Sequence, residues 1–325
     1  MRRSRLALLL VALMTLSLGA AQQGASPPAD VTAWFCPMHP EVTASEGGRC
    51  RKCGMALVAG DPFDTREYAL ELTTMPAAIK AGQPATLYFT VRHPGTSALI
   101  TQYELVHEKP YHLFIVSSDM EFFEHVHPTQ QPDGRWSMEV TLPRPGDYRL
   151  LSDFLPTGGS PQFIGRTIET AGFTGDLASQ MPHLQPDTVL TKTVGSITAH
   201  LELESSMLVQ GQYGHLMFTL TDAKTGRLVT DLQPYLGAFG HALILSEDMR
   251  DYIHSHPFEG PESDVSKGVG GPTVTFEGYM PRAGRYRAWS QFQRNGEVVT
   301  IPFTLNVLTV EEAYRNPGAP AVNLR

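Results

Sequence analysis

The sequence predicts a mainly β chain: a small Cys/His module followed by two tandem antiparallel β-sandwich domains. Three observations carry that reading. Short runs of β-branched and aromatic residues alternate with Gly- and Pro-rich turns along most of the chain. A long stretch repeats itself once. All three cysteines fall in one short segment near the start. With 42% hydrophobic and 18% charged residues, the chain is too apolar for a disordered protein. Its 29 Gly and 25 Pro have no short period, which excludes collagen-like sequence and argues against a long coiled coil. A net charge of −8 opposes binding to a phosphate backbone, so no nucleic acid is expected as a partner.

The first element is an address. Arg2, Arg3 and Arg5 precede an apolar run over 6–18, and Gly19, Ala20 and Ala21 supply small residues for cleavage. This is the three-part pattern of a secretory signal peptide over 1–21. The run is shorter than the ~20 residues an ordinary span needs, and no later stretch is long and apolar enough. The expected mature chain therefore has no membrane span and is periplasmic or secreted.

The cysteine segment, placed at 32–60, comes next. It reads Cys36-Pro37-Met38-His39-Pro40, a loop, then Cys50-Arg51-Lys52-Cys53-Gly54-Met55. An odd cysteine count argues against a simple disulfide framework, although a Cys50–Cys53 bridge with Cys36 free is the bland alternative. Cys36, His39, Cys50 and Cys53 form a Cys₃His set that can close a tetrahedral site for zinc, and thiolates beside Met38 and Met55 also suit Cu(I). Gly54 can take the positive φ that a turn after the second cysteine of the pair needs.

Those residues resemble the short heavy-metal-binding domain attached to copper-transporting P-type ATPases and to periplasmic adaptors of metal efflux pumps. Residues 36–42 match its Cys-Pro-Met-His-Pro-Glu-Val in full, and Cys50, Cys53, Gly54 and Met55 match in register. Arg51 replaces the usual proline, and neither that change nor Gly47-Gly48 removes a ligand. The resemblance implies a copper or zinc ion as cofactor and a metal efflux or transport protein as partner.

The rest is one domain repeated. Residues 82–128 align without a gap on 211–257. The strongest block runs from His112 to Pro128 and from His241 to Pro257, with His, Ile, Ser, Asp and Met shared, then His-x-His-Pro. A second shared block holds Pro143, Arg144, Gly146, Tyr148 and Arg149 against Pro281, Arg282, Gly284, Tyr286 and Arg287. Segments 86–92 and 215–221 alternate as half-buried strands, whereas 113–116 and 242–245 are continuous apolar runs ending at Ser/Asp turns. Several such strands within ~100 residues predict an immunoglobulin-like sandwich. The domains are placed at 64–172 and 195–311, with a linker at 173–194 and a loose tail at 312–325.

Half of the 12 histidines lie in the repeated block. In an extended segment His125 and His127 project to one side, as do His254 and His256, so each pair can hold one ion. His112 and His241 could complete three imidazoles across a hairpin. Met120 and Met249 read better as core than as axial sulfur, while Asp119 and Asp248 could ligate or orient a ligand. Tyr148, Tyr286 and Trp289 read as sandwich core, and Arg144 and Arg282 as strand-start residues. Imidazole coordinates only when neutral, so binding is expected to weaken as pH falls through ~6.5. The repeats resemble secreted β-sandwich domains of unassigned activity that accompany the short metal-binding module, which supports location and architecture.

Three function classes fit these features. The first is an exported protein that binds copper or zinc for buffering, resistance or delivery. The second is a metalloenzyme on the His-rich repeats, although no general base or serine nucleophile stands at a motif spacing. The third is an adhesive or assembly protein with a structural metal clip.

Overall fold

The structure, a computed structural model, describes residues 33–257 and 265–315. The signal segment at 1–21 and residues 316–325 of the tail lie outside the described residues. The first unit is a three-stranded antiparallel ribbon in the order β2-β1-β3, made of β1 (Ala33–Phe35), β2 (Thr43–Ala44) and β3 (Val58–Gly60).

Two sandwiches follow, as the alternation and the repeat predicted. The first contains β4 (Ala69–Met75), β5 (Ile79–Lys80), β6 (Pro84–Arg92), β7 (Tyr111–Ser117), β8 (Phe123–Val126) and β9 (Thr129–Gln130). It continues through β10 (Trp136–Thr141), β11 (Gly146–Phe154) and β12 (Gln162–Ala171). One sheet has the order β4-β6-β10-β9 and the other β5-β12-β11-β7-β8. The second contains β13 (Thr191–Val194), β14 (Ile197–Leu203), β15 (Leu208–Val209), β16 (Gln212–Asp222) and β17 (His241–Ser246). Its remaining strands are β18 (Tyr252–Ser255), β19 (Thr273–Met280), β20 (Gly284–Arg294) and β21 (Glu297–Leu308). Their orders, β13-β14-β16-β19 and β15-β21-β20-β17-β18, repeat the first plan. In each, a short strand (β5 or β15) crosses to the second sheet and pairs parallel with the last strand, an immunoglobulin-like arrangement.

Two segments depart from expectation. The end of the assigned linker, 191–194, is strand β13, because its alternating Thr-Lys-Thr-Val pairs with β14 around a turn where Gly195 takes φ +52°. The tail begins as a helix, Val310–Arg315, held by buried Ala313 and capped by Thr309 with Glu312.

The strand after the Pro-x-Gly turn is locked by its tyrosine. Tyr148 OH donates to the Arg144 carbonyl at 2.8 Å, and Arg144 N–H donates back to the hydroxyl at 3.1 Å. Tyr286 OH reaches the Arg282 carbonyl at 2.9 Å and the Asp251 carboxylate at 2.7 Å. These are the tyrosine corners of the two sandwiches.

The two sandwiches dock through their five-stranded sheets. Along β7, Leu113 and Ile115 enter the first core while Phe114 and Val116 face the other way. Along β17, Ala242 and Ile244 enter the second core while Leu243 and Leu245 face outward. The outward residues meet, with Met120, Leu151, Leu184 and Trp289, in one shared apolar cluster. Trp289 is therefore not core of its own sandwich. It stacks on Phe123 of the first repeat at 4.8 Å between ring centroids. Met120 and Met249 pack here too, as space-fillers.

Loss of the corner hydroxyl tests the fold. Tyr148→Phe should cost about 1 kcal/mol of unfolding free energy, and Tyr286→Phe about 2 kcal/mol because its hydroxyl also serves a carboxylate. Urea unfolding followed by circular dichroism measures both, and unchanged midpoints would remove the corners from the stability argument.

Candidate metal centres

The ribbon brings its four predicted residues together. Cys36 leaves β1 into a turn closed by His39 N–H to the Cys36 carbonyl, and Cys50 opens a knuckle closed by Gly54 N–H to the Cys50 carbonyl. Gly54 takes φ +71°, a conformation that suits glycine. Cys36 Sγ lies 3.5 Å from Cys53 Sγ, and His39 Nδ1 lies 3.7 Å from both Cys36 Sγ and Cys50 Sγ. A Zn–S length of about 2.3 Å puts tetrahedral sulfurs roughly 3.8 Å apart, so the donor set fits one borderline or soft ion. All three thiols are free, and the Cys50–Cys53 disulfide alternative does not form. The Cys53 thiol beside it lowers the Cys36 pKa, which favours a thiolate there.

The ribbon is seated rather than tethered. Phe35 and Val58 pack on Leu155 and Val106 of the first sandwich. A Cβ on Gly60 would stand 2.4 Å from the Gly159 carbonyl oxygen, so only glycine permits this approach.

The repeat histidines converge at the rim of the docking interface. His125 and His127 share one side with ring centroids 4.8 Å apart, and His254 and His256 do so at 4.7 Å. The donor atoms of His112, His125 and His254 lie within 4.8 Å of one another, as do those of His241, His254 and His256. His254 belongs to both sets, and the first set draws on both repeats. The two His-x-His pairs thus meet in one cluster between the domains.

Hydrogen bonds fix the tautomers of four rings. His112 Nε2 donates to the Val106 carbonyl at 2.8 Å, and His241 Nε2 donates to the Tyr235 carbonyl at 2.9 Å. His125 Nδ1 donates across the interface to Gln291 Oε1 at 2.9 Å, with the Gln291 amide nitrogen committed to Thr300. His254 Nδ1 crosses in the opposite sense to Asp153 Oδ2, also at 2.9 Å, and Tyr252 OH donates to the same oxygen. Since each acceptor can only accept, in the neutral form that metal ligation requires the other nitrogen of each ring carries a lone pair. His112 Nδ1 and His125 Nε2 then face each other at 3.0 Å, lone pair to lone pair. His241 Nδ1 and His254 Nε2 are buried with no partner among the described residues. Such an arrangement calls for a cation between the rings, and a second shell of carbonyl and carboxylate acceptors is what metal-ligating imidazoles use.

Sequence reasoning did not reach several of these residues. His107 sits at the first position of a two-residue turn closed by Val106 and Lys109, with φ +49°, and stacks on His256. The second repeat has Leu236 there (φ +53°), so the repeat comparison gives no signal for His107. Asp153 and Gln291 differ between the repeats and were equally hidden, although they occupy the same register beside His112 and His241. Asp119 and Asp248, the acidic residues expected near the site, instead pair with Arg144 and Arg282 at the turns.

Burial dominates the electrostatics. It lowers His112 to about 4 and His127 to about 3, and it holds His107, His125, His241 and His256 well below the ordinary imidazole range. Burial alone would raise Asp153, but the hydrogen bonds from His254 and Tyr252 offset it and its pKa falls. Proton competition with a bound ion therefore begins at lower pH than free imidazole implies.

An immunoglobulin-like tandem with a thiolate site at one end and an imidazole cluster between its domains defines a class of β-sandwich proteins equipped for metal ions. The ribbon matches the profile described as heavy metal binding domain over residues 33–59. The chain itself belongs to the family described as domain of unknown function DUF8832, whose profile matches 64–172 and 192–309. No curated protein matches it. Among solved structures, the Escherichia coli adhesin FdeC is similar at 14% identity and TM-score 0.24, over 75% of this chain and 66% of that one. The Yersinia pseudotuberculosis adhesin InvE is similar at 12% identity and TM-score 0.22, over 74% and 60%. Domains 4 and 5 of the S-layer protein SbsC are similar at 15% identity and TM-score 0.21, over 75% and 100%. The chain thus spans about two thirds or less of the two adhesin chains.

The depressed imidazole pKa values set a sign. A buried base that resists protonation gives stability that is full above its unfolded pKa of about 6.5 and is lost as pH falls toward its folded value. The metal-free chain should therefore lose stability from pH 6.5 to pH 4, His112 alone accounting for about 3 kcal/mol. Urea midpoints at pH 7.5, 5.5 and 4.5 measure this, and a flat profile would contradict the buried neutral cluster.

Proposed function

We propose that this chain is an exported heavy-metal-binding protein that takes up copper or zinc for buffering, resistance or delivery to an efflux or transport partner. The observation that carries the reading is the gathering of imidazoles from both repeats into two overlapping donor sets that share His254, with His112, His125, His241 and His254 each backed by an acceptor. Six imidazole nitrogens on five histidines are buried without a hydrogen-bond partner among the described residues. Each such group costs about 1–3 kcal/mol when left unmet, so the cluster is unfavourable without a cation. All-imidazole donors suit zinc and copper, while the ribbon's thiolates suit zinc and Cu(I). The Arg-rich start, apolar run and small residues of 1–21 support export. Among the described residues no helix is long and apolar enough to cross a membrane.

Full-length chain titrated with Zn(II) and Cu(I), with elemental analysis of what it retains, tests the reading. His125→Ala with His254→Ala should remove interdomain capacity and leave the ribbon's, and Cys36→Ser, Cys50→Ser and Cys53→Ser together should do the reverse. Asp153→Asn should keep the stoichiometry and weaken interdomain binding by about ten-fold or more, since it removes the acceptor charge behind His254. Unchanged retention in the His125/His254 variant would return these histidines to a structural role.

At the ribbon, a bound ion should shield the thiols. Alkylation of Cys36, Cys50 and Cys53 should slow at least ten-fold when one equivalent of Zn(II) is present. Equal labelling rates with and without Zn(II) would separate the three cysteines from a common ion.

A further inference from the structure

The ribbon and the histidine cluster share a wall. A cavity of about 290 Å³ lies between them. On the ribbon side it is lined by Met38, His39, Cys53 and Met55, two ligands of the thiolate site and two thioethers. On the sandwich side it is lined by His107, His254 and His256. His254 is the ring common to both imidazole sets, and both nitrogens of His256 are buried without a partner among the described residues. The ribbon is close enough to the second sandwich for Glu277 to act on the charge of His39 and Lys52. Its seat on Leu155 and Val106 holds that face in place, next to the turn that carries His107.

We propose that this cavity is a passage through which metal-ion cargo moves directly between the Cys₃His site and the interdomain cluster, without release to solvent. The proposal rests on the metal-binding reading of both sites. The step is ligand exchange at constant oxidation state. A bond from the ion to Cys53 Sγ or His39 breaks as one to a nitrogen of His256 or His254 forms, and the thiolate left behind takes a proton from water. No electron moves, so no oxidant or reductant is needed. Met38 and Met55 serve as soft intermediate donors along the wall, a role suited to Cu(I). His107, which has no counterpart in the second repeat, stands on the ribbon's side of the cluster and stacks on His256, where such an ion arrives.

The test uses the full chain loaded anaerobically with Cu(I) and challenged with a bulky sulfonated Cu(I) chelator, with release followed by stopped flow. Two variants are compared with the unaltered protein: Cys36→Ser/Cys50→Ser/Cys53→Ser, and Met38→Leu/Met55→Leu, a volume-conserving pair expected to leave the ribbon folded. If the passage operates, copper held by the cluster leaves at least ten-fold more slowly in the triple-serine variant. It also leaves several-fold more slowly in the leucine pair, with each rate taken per copper bound. Should the triple-serine ribbon unfold and expose the cluster, its release accelerates, and slowing in the leucine pair alone carries the proposal. Cluster release at the unaltered rate in the leucine pair means that the cluster exchanges directly with solvent, which overturns the passage and leaves the two binding sites standing. A triple-serine variant that retains no copper removes the cluster as a metal site and the passage with it, an outcome distinct from altered rates at full capacity.

Discussion

The docking of two five-stranded sheets, outer face to outer face, is the contact on which everything else rests. A sandwich sheet ordinarily covers one face and leaves the other to solvent, and its strands then alternate. Strands β7 and β17 are buried at every position because each has a core on both sides. Phe114, Val116, Leu151, Leu243, Leu245 and Trp289 make the second core. At the rim of that core the strands carry His112 and His241, and the adjoining hairpins carry the His-x-His pairs. Neither sandwich alone assembles the cluster, since His125 needs Gln291 and His254 needs Asp153 from the opposite domain.

Such a rim is expensive to build from imidazoles. Desolvation disfavours protonating them, and the acceptors behind four of the rings leave their inner nitrogens as lone pairs facing one another. A proton held between His112 and His125 would satisfy one facing pair, but it would bring charge among rings whose burial already opposes it. A metal ion meets several lone pairs at once and spreads its charge over them, with Asp153 supplying a negative charge one bond away. The difference between Asp153 and Gln291 has a physical sense in this setting. Two carboxylates in the same register would bury two negative charges around one ion, whereas one carboxylate and one amide orient both rings for the burial of one charge.

Much of this was legible in the sequence, and what was missed shares a cause. The ribbon's ligands stand close together in sequence and within one turn-and-knuckle motif, so local spacing was enough to gather Cys36, His39, Cys50 and Cys53. The repeat gave both sandwiches, and period-2 geometry placed His125 with His127 and His254 with His256. What escaped is what depends on how the domains meet. The continuous apolar runs at 113–116 and 242–245 carried the signal of a doubly buried strand, but a run alone does not say what covers its second face. Trp289 was assigned to a sandwich core for the same reason. Asp153, Gln291 and His107 were invisible to repeat comparison because they are the positions where the copies differ.

One of those differences, His107, follows the ribbon. The tandem copies form a near-symmetric interface in which equivalent loops approach the cluster from either side, Val106 backing His112 and Tyr235 backing His241. The ribbon seats its apolar residues on the first of those loops, through Phe35 and Val58 against Val106. The symmetry is broken there: the residue after Val106 is a histidine in a left-handed turn, and its equivalent after Tyr235 is a leucine. A left-handed residue in a tight turn is tolerated by histidine better than by a branched aliphatic chain, yet the leucine occupies the same conformation, so backbone preference does not account for the histidine. Its position does: both turns reach the shared cavity, but His107 lines it between the ribbon's thiolate site and the cluster, whereas the second turn lines it with Gly237 and Ala238 rather than with Leu236. The seventh imidazole thus stands where the sulfur-rich module meets one side of a duplicated, nitrogen-rich interface.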